Sequence, residues 1–196
     1  MSAVRIQEWT NLAVLAAWFG FGAIFLFRRR PPAAPEKIRD PMGTVGIVFQ
    51  GLGFGVVWSG RRPLGSPLFD APLPVLAGVA VLDVALAVAS VALTLWAVRT
   101  LGRQWALAAR LVEGHELVTG GPYRYVRNPI YTGMLGMLLA TGVAWSRPWT
   151  LLVGAVVFCA GTAVRIRAEE RLLRTAFGQT WEAWAGRTPA LLPGIW

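Results

Sequence analysis

The chain has 196 residues, 55% of them hydrophobic and only 15% charged, with 22 Gly, 13 Pro and 10 Trp. So much apolar surface excludes a disordered chain, and a charged fraction well below the roughly 25% of soluble domains excludes an ordinary water-soluble fold. Mean hydropathy is +0.52, and the net charge of +9 lies between apolar runs, not along one face, so it reads as a topology signal and predicts no nucleic-acid partner.

In chain order, five apolar segments predict helices that span or nearly span a bilayer: Trp9–Phe27, Thr44–Trp58, Leu73–Val98, Ile130–Trp145 and Trp149–Val164. The second, fourth and fifth are short, which calls for flanking residues or a thinned bilayer. Arg28, Arg29 and Arg30 follow the first run, the reverse of a cleavable leader, so that run is expected to remain as a helix. Residues 31–35 form a stiff Pro-rich connector. Gly51, Gly53 and Gly55 follow no strand and read as helix-packing glycines. Period-2 alternation is absent, which disfavours a barrel. The expected class is all-α: an integral membrane bundle of about five helices forming one structural domain.

The basic residues sort by loop. Fifteen of the 19 fall within residues 28–43, 99–129 and 165–196, and the other four are Arg5, Arg61, Arg62 and Arg147. By the positive-inside rule, the N-terminus is outside and the C-terminus cytoplasmic, as expected for a bacterial inner-membrane protein. The last two spans form a hairpin turning at Ser146-Arg147-Pro148. Folding it brings Arg124–Tyr131 near Arg165–Glu170, and the active site is expected there.

Residues 115–133 are polar, aromatic and rich in turn formers. Gly120-Gly121-Pro122 predicts a bend, Pro129 suits a first helical turn, and Asn128 is placed as the cap of the fourth span. An interfacial aromatic and basic belt has the same composition. In the second cluster Arg165 and Glu169 are spaced i, i+4 and share a face, while Glu170 is turned about 100° away. One acid is then expected to pair with the arginine and the other to stay free for a cationic or hydroxyl-bearing ligand, although a solvated helix end would look similar. Residues 177–184 predict an amphipathic helix lying on the membrane. His115 stands without ligand-spaced partners, so no metal site is expected. Asp83 is expected to make a structural hydrogen bond in the outer half of the third span, and Cys159 to be a small core residue.

Two motifs, in order and about thirty residues apart, carry a resemblance. The first places Leu117, Val118, Gly121, Pro122 and Tyr123 after His115, then Arg127, Asn128, Pro129, Tyr131 and Gly133. The second is Arg165, Glu169, Glu170, Leu173, Phe177, Gly178, Trp181 and Trp184. Together they resemble the isoprenylcysteine carboxyl methyltransferase family and the related phospholipid methyltransferases, over roughly residues 95–193. The resemblance implies a membrane enzyme using S-adenosyl-L-methionine in a cytoplasmic pocket, with a lipophilic acceptor entering from the bilayer. Residues 1–98 would supply three helices and residues 99–196 the methyltransferase core. His115, Glu116, Leu117, Val118, Tyr123, Asn128, Pro129, Ile130, Tyr131 and Glu169 would line the methyl-donor site, with Glu170 sharing that role. Arg165 would hold the acceptor carboxylate and act with Glu169 in catalysis. Asn128 stands where the prenylcysteine enzymes have His, which removes a proton-accepting group near neutral pH. A carboxylate acceptor needs an orienting cation only, whereas a phospholipid amine would need a base, for which Glu169 or Glu170 is nearest. A non-enzymatic helical bundle is the alternative of another class, and a nicotinamide-dependent reductase is a third.

Overall fold

A computed structural model of the chain describes residues 2–27, 36–105, 110–112, 114 and 116–192. Five apolar helices make the bundle: α1 (Ala3–Leu26), α2 (Met42–Ser59), α3 (Leu73–Leu101), α4 (Pro129–Trp145) and α5 (Pro148–Phe177). A short helix, α6 (Gln179–Ala185), follows α5. The only sheet among the described residues is a two-stranded antiparallel ribbon, β1 (Glu36–Arg39) with β2 (Arg110–Val112). The architecture is an all-α membrane bundle, as the apolar runs predict.

Four of the helices (α1, α2, α3 and α5) are long and apolar enough to cross a membrane, and α4 is a shorter apolar helix of 17 residues. At 1.5 Å per residue α4 reaches about 26 Å, slightly less than a hydrocarbon core. The short fifth run gains the flanking residues it was expected to need. Gly and Pro are missing from 165–177, so α5 continues for 30 residues until Gly178, at φ 49°, ends it. Arg165, Glu169 and Glu170 therefore lie inside one rigid helix. Likewise α1 starts at Ala3, six residues before the apolar run, with the Ser2 hydroxyl accepting from the Arg5 amide at 3.3 Å.

Over their apolar stretches the helices meet in part through small residues and turn many bulky ones outward, as membrane helices do. On α2 the buried stripe is Gly43, Gly46, Gln50, Gly53 and Val57, whereas Val48, Phe49 and Leu52 are exposed. That stripe packs along α5, its main partner, while α3 packs on α1 and α4. A Cβ on Gly53 would come within 2.7 Å of the Gly154 carbonyl, so this glycine does serve helix packing. Gly51 and Gly55 do not, because they face open space. Cys159 is also corrected: it lies exposed on the outer face of α5.

The loops gather at two ends, as the charge sorting predicts. At one end β1 pairs with β2, and Asp40 accepts from Arg171 Nη2 at 2.8 Å, which ties the α1–α2 connection to α5. At the other, the Arg62 amide donates to the Trp145 carbonyl and the Arg147 amide to the Gly60 carbonyl, both at 2.8 Å. Arg28–Arg30 and the 31–35 connector lie outside the described residues.

Candidate active site

The approach to α4 is set by one backbone turn. Gly121, at φ 59°, opens a 3-10 turn over Gly121–Arg124. A Cβ there would lie 3.0 Å from Thr100 Cγ2 and 3.3 Å from Trp96 Nε1. Only glycine adopts that conformation and that approach readily. The turn buries Tyr123 and delivers the chain to Pro129 at the head of α4.

Asn128 sits at the cap position, but its side chain does not cap α4. Its carbonyl accepts from the Tyr131 and Thr132 amides at 3.0 and 3.2 Å, while Nδ2 donates to the Ala190 carbonyl at 3.0 Å. The side chain is diverted because the C-terminal tail runs alongside. The Arg127 amide donates to Pro189 O at 2.8 Å and the Asn128 amide to Ala190 O at 3.0 Å, and Thr132 Oγ1 donates to Leu191 O at 2.6 Å. Arg127 is the hub of this strap. Its Nη1 donates to the carbonyls of Ala185, at 2.8 Å, and of Thr188, and its Nε donates to Glu170 Oε1 at 2.8 Å. The expectation that Glu170 stays free is therefore corrected: a guanidinium from the neighbouring helix approach claims it.

Across the hairpin, Glu169 accepts from Arg165 Nη2 at 3.3 Å, the i, i+4 pair its spacing predicts. The same carboxylate oxygen accepts the hydroxyl of Tyr131, from the first turn of α4. The Arg165 guanidinium lies over the Tyr131 ring at 4.9 Å, within cation–π reach. A fourth group was not among the expected site residues. Gln50, from the middle of α2, accepts from Arg165 Nη1 at 3.3 Å, and its own Nε2 donates to Thr162 Oγ1 at 2.9 Å. Its sequence signal was a single amide in an otherwise apolar helix.

Beside this polar cluster is an aromatic one. Trp181 and Trp184 of α6 turn inward onto Tyr123 and Ala97, flanked by Leu117, Val118, Ile130 and Leu173. The two rings are 2% and 8% exposed, so the apolar face of the expected amphipathic helix is spent on the protein core. Both indole Nε1 groups are buried without an acceptor among the described residues. Tyr123 senses both clusters: burial first, and then the Glu169 carboxylate, push its hydroxyl pKa above the ordinary value. Pro129 is buried at the head of α4, Glu116 is exposed, and His115 lies outside the described residues.

Nothing at the far end belongs to this site. Arg62 donates Nη2 to Val143 O at 2.8 Å and to Ala144 O at 3.1 Å, and Nη1 to Ser146 O, closing the C-terminus of α4. Asp83 is 3% exposed, and neither of its oxygens finds a donor among the described residues. The hydrogen bond expected of it is therefore replaced by the charge of Arg62. Burial lowers the Arg62 pKa, and Asp83 opposes that shift.

Residues 79–180 match the phospholipid methyltransferase family. The chain is 35% identical over 101 residues to protein-S-isoprenylcysteine O-methyltransferase B of Arabidopsis thaliana, covering 50% of this chain and 51% of the relative. It is 34% identical over 101 residues to a probable protein-S-isoprenylcysteine O-methyltransferase of Oryza sativa subsp. indica, covering 50% and 53%. The chain belongs to the phospholipid and isoprenylcysteine carboxyl methyltransferase family. A cobalt-zinc-cadmium resistance protein of Cupriavidus metallidurans is 36% identical over 97 residues, covering 49% of this chain and 44% of its own. The chain spans about half the length of the curated relatives it matches. The family match runs from within α3 to the start of α6, so it takes in the first motif and the second as far as Gly178, and leaves out α1, α2, Gln50, Trp181 and Trp184.

Proposed function

We propose that this chain is an integral membrane methyltransferase that moves a methyl group from S-adenosyl-L-methionine to a lipophilic carboxylate, of the isoprenoid or prenylcysteine kind. The observation that carries this reading is the juxtaposition of Arg165, Glu169 and Tyr131 with an aromatic cluster holding two indole N–H groups that meet no acceptor among the described residues. Buried N–H donors without acceptors are costly in a finished core and suit a site that takes up an acceptor-rich molecule. Tyr123, Leu117, Val118 and Ile130, with Trp181 and Trp184, would hold the adenosyl part, and Glu169 would face its cationic end. When bound, the donor supplies an electrophilic methyl on a sulfonium, whose transfer to an anionic oxygen neutralises opposite charges and is favoured in a dry site.

The chain's own residues supply orientation and exclusion of water. Arg165 would clamp the acceptor carboxylate with charge-assisted hydrogen bonds. Tyr131 holds the Glu169 carboxylate in place by its hydroxyl and supports Arg165 by its ring. Arg127 and Asn128 bind the tail across the start of α4, and Glu170 anchors Arg127. In this reading Asn128, Pro129 and Glu170 build the wall of the donor site. The apolar outer face of the bundle lets the acceptor arrive through lipid, and the positive-inside rule puts the site at the cytoplasmic leaflet.

The family also holds phospholipid methyltransferases, whose amine acceptors must lose a proton to a base. Here the nearest acid is already engaged by a tyrosine hydroxyl and a guanidinium. A fixed positive charge also repels an ammonium, so the carboxylate is favoured. The test is to incubate the purified protein with isotope-labelled S-adenosyl-L-methionine and a total lipid extract, then identify the labelled species by mass spectrometry. A labelled methyl ester is expected. No labelled product, or label on an amine alone, overturns the proposal.

A further inference from the structure

We infer that Gln50, in the α2 helix outside the family match, is a positioning residue that sets the Arg165 guanidinium for the acceptor, with Thr162 holding the far end of the Gln50 amide. The inference rests on the reading of Arg165 as the acceptor-binding group. Gln50 is 2% exposed within an apolar helix, where an amide is tolerated only if its polar ends are hydrogen-bonded. Both ends are engaged: Oε1 accepts from Arg165 Nη1 at 3.3 Å, and Nε2 donates to Thr162 Oγ1 at 2.9 Å. The orientation follows from chemistry. A guanidinium only donates, so the carbonyl end must face Arg165, and the hydroxyl of Thr162 receives the amide end.

The backbone brings these groups together. A Cβ on Gly161 would lie 2.8 Å from both the Gln50 amide nitrogen and the Gly46 carbonyl. One on Gly46 would lie 2.6 Å from the Gly161 carbonyl and 3.1 Å from the Arg165 amide nitrogen. Two glycines thus let α2 and α5 touch backbone to backbone one turn before Gln50 and one turn before Arg165. With Gln50 on one flank, Glu169 on another and the Tyr131 ring against its face, the guanidinium is held by three elements. Only one of those three holders, Gln50, carries neither charge nor aromatic ring. It orients the cation without cancelling its charge, which leaves Arg165 attractive to an incoming carboxylate.

The test uses the full chain in detergent, with labelled S-adenosyl-L-methionine and N-acetyl-S-farnesylcysteine as the acceptor. Gln50→Glu puts an anion against Arg165 and is expected to raise the acceptor KM about tenfold, leaving the thermal shift given by S-adenosylhomocysteine unchanged. Thr162→Val keeps the shape and removes the hydroxyl, with an expected rise of about fivefold in acceptor KM, whereas Thr162→Ser recovers most of that loss. A packing role predicts the opposite order, with serine worse than valine. That order, or an unchanged KM in Gln50→Glu, overturns the inference while leaving the methyltransferase reading intact. Wild-type protein that methylates neither this acceptor nor any carboxylate in the lipid extract overturns the methyltransferase reading itself, and this inference with it.

Discussion

An arginine is built into each end of the bundle, and the two are held in different ways. Arg62 gives its N–H groups to the backbone carbonyls of Val143, Ala144 and Ser146, which no substrate can displace without unwinding α4. The contacts of Arg165 described above come from side chains: an amide, a carboxylate and an aromatic face. Main-chain acceptors make an arginine a staple. Side-chain acceptors from three helices make it a group whose direction and field can be tuned, as recognition of an anion requires.

Exchanging each for lysine should separate them most widely. Arg165→Lys is expected to lower turnover on a carboxylate acceptor by about 100-fold, since a single ammonium replaces a two-pronged clamp. Arg62→Lys is expected to leave turnover per folded molecule within about twofold but to lower the thermal midpoint by several degrees as α4 loses its cap. Equal effects on turnover would erase the distinction.

The helix contact beneath Arg165 offers the next test. Gly161→Ala forces a methyl against the backbone of Gly46 and Gln50, and is expected to cost about 2 kcal/mol of stability while raising acceptor KM. Gly154→Ala meets the Gly53 carbonyl at 2.8 Å, two turns nearer the far end. It should cost stability alone. Denaturation midpoints and acceptor KM values measured side by side would show whether the two glycines differ in this way.

Smaller effects follow. Tyr131→Phe keeps the ring under Arg165 and removes the hydroxyl from Glu169, with an expected loss of about tenfold in turnover by the labelled-methyl assay. Asp83→Asn is expected to change stability by less than about 1 kcal/mol, because the buried carboxylate meets no donor among the described residues and interacts with Arg62 only through its charge. A thermal unfolding series on that variant checks it. A drop of several kcal/mol would assign Asp83 a larger structural role.

Much of the frame was legible in the sequence. Apolar runs that span or nearly span a bilayer located all five helices, loop charges sorted them into two ends, and i, i+4 spacing predicted the Arg165–Glu169 pair. Missing were the partners that arrive from distant segments. Nothing local says that Arg127 reaches Glu170, that the tail draws Asn128 away from its cap, or that Trp181 and Trp184 turn inward onto Tyr123. Gln50 was obscured for another reason. Its neighbours Gly51, Gly53 and Gly55 read as packing glycines, yet Gly51 and Gly55 face open space and the lone amide just before them faces the site.

The most direct measurement follows a labelled methyl group onto a prenylcysteine acid in matched wild-type and Arg165→Lys preparations, then treats the product with mild base. A carboxyl methyl ester releases volatile labelled methanol, whereas a methylated amine keeps its label. The account predicts base-released label from the wild type and almost none from Arg165→Lys. Label that resists base, or equal release from both proteins, would contradict it.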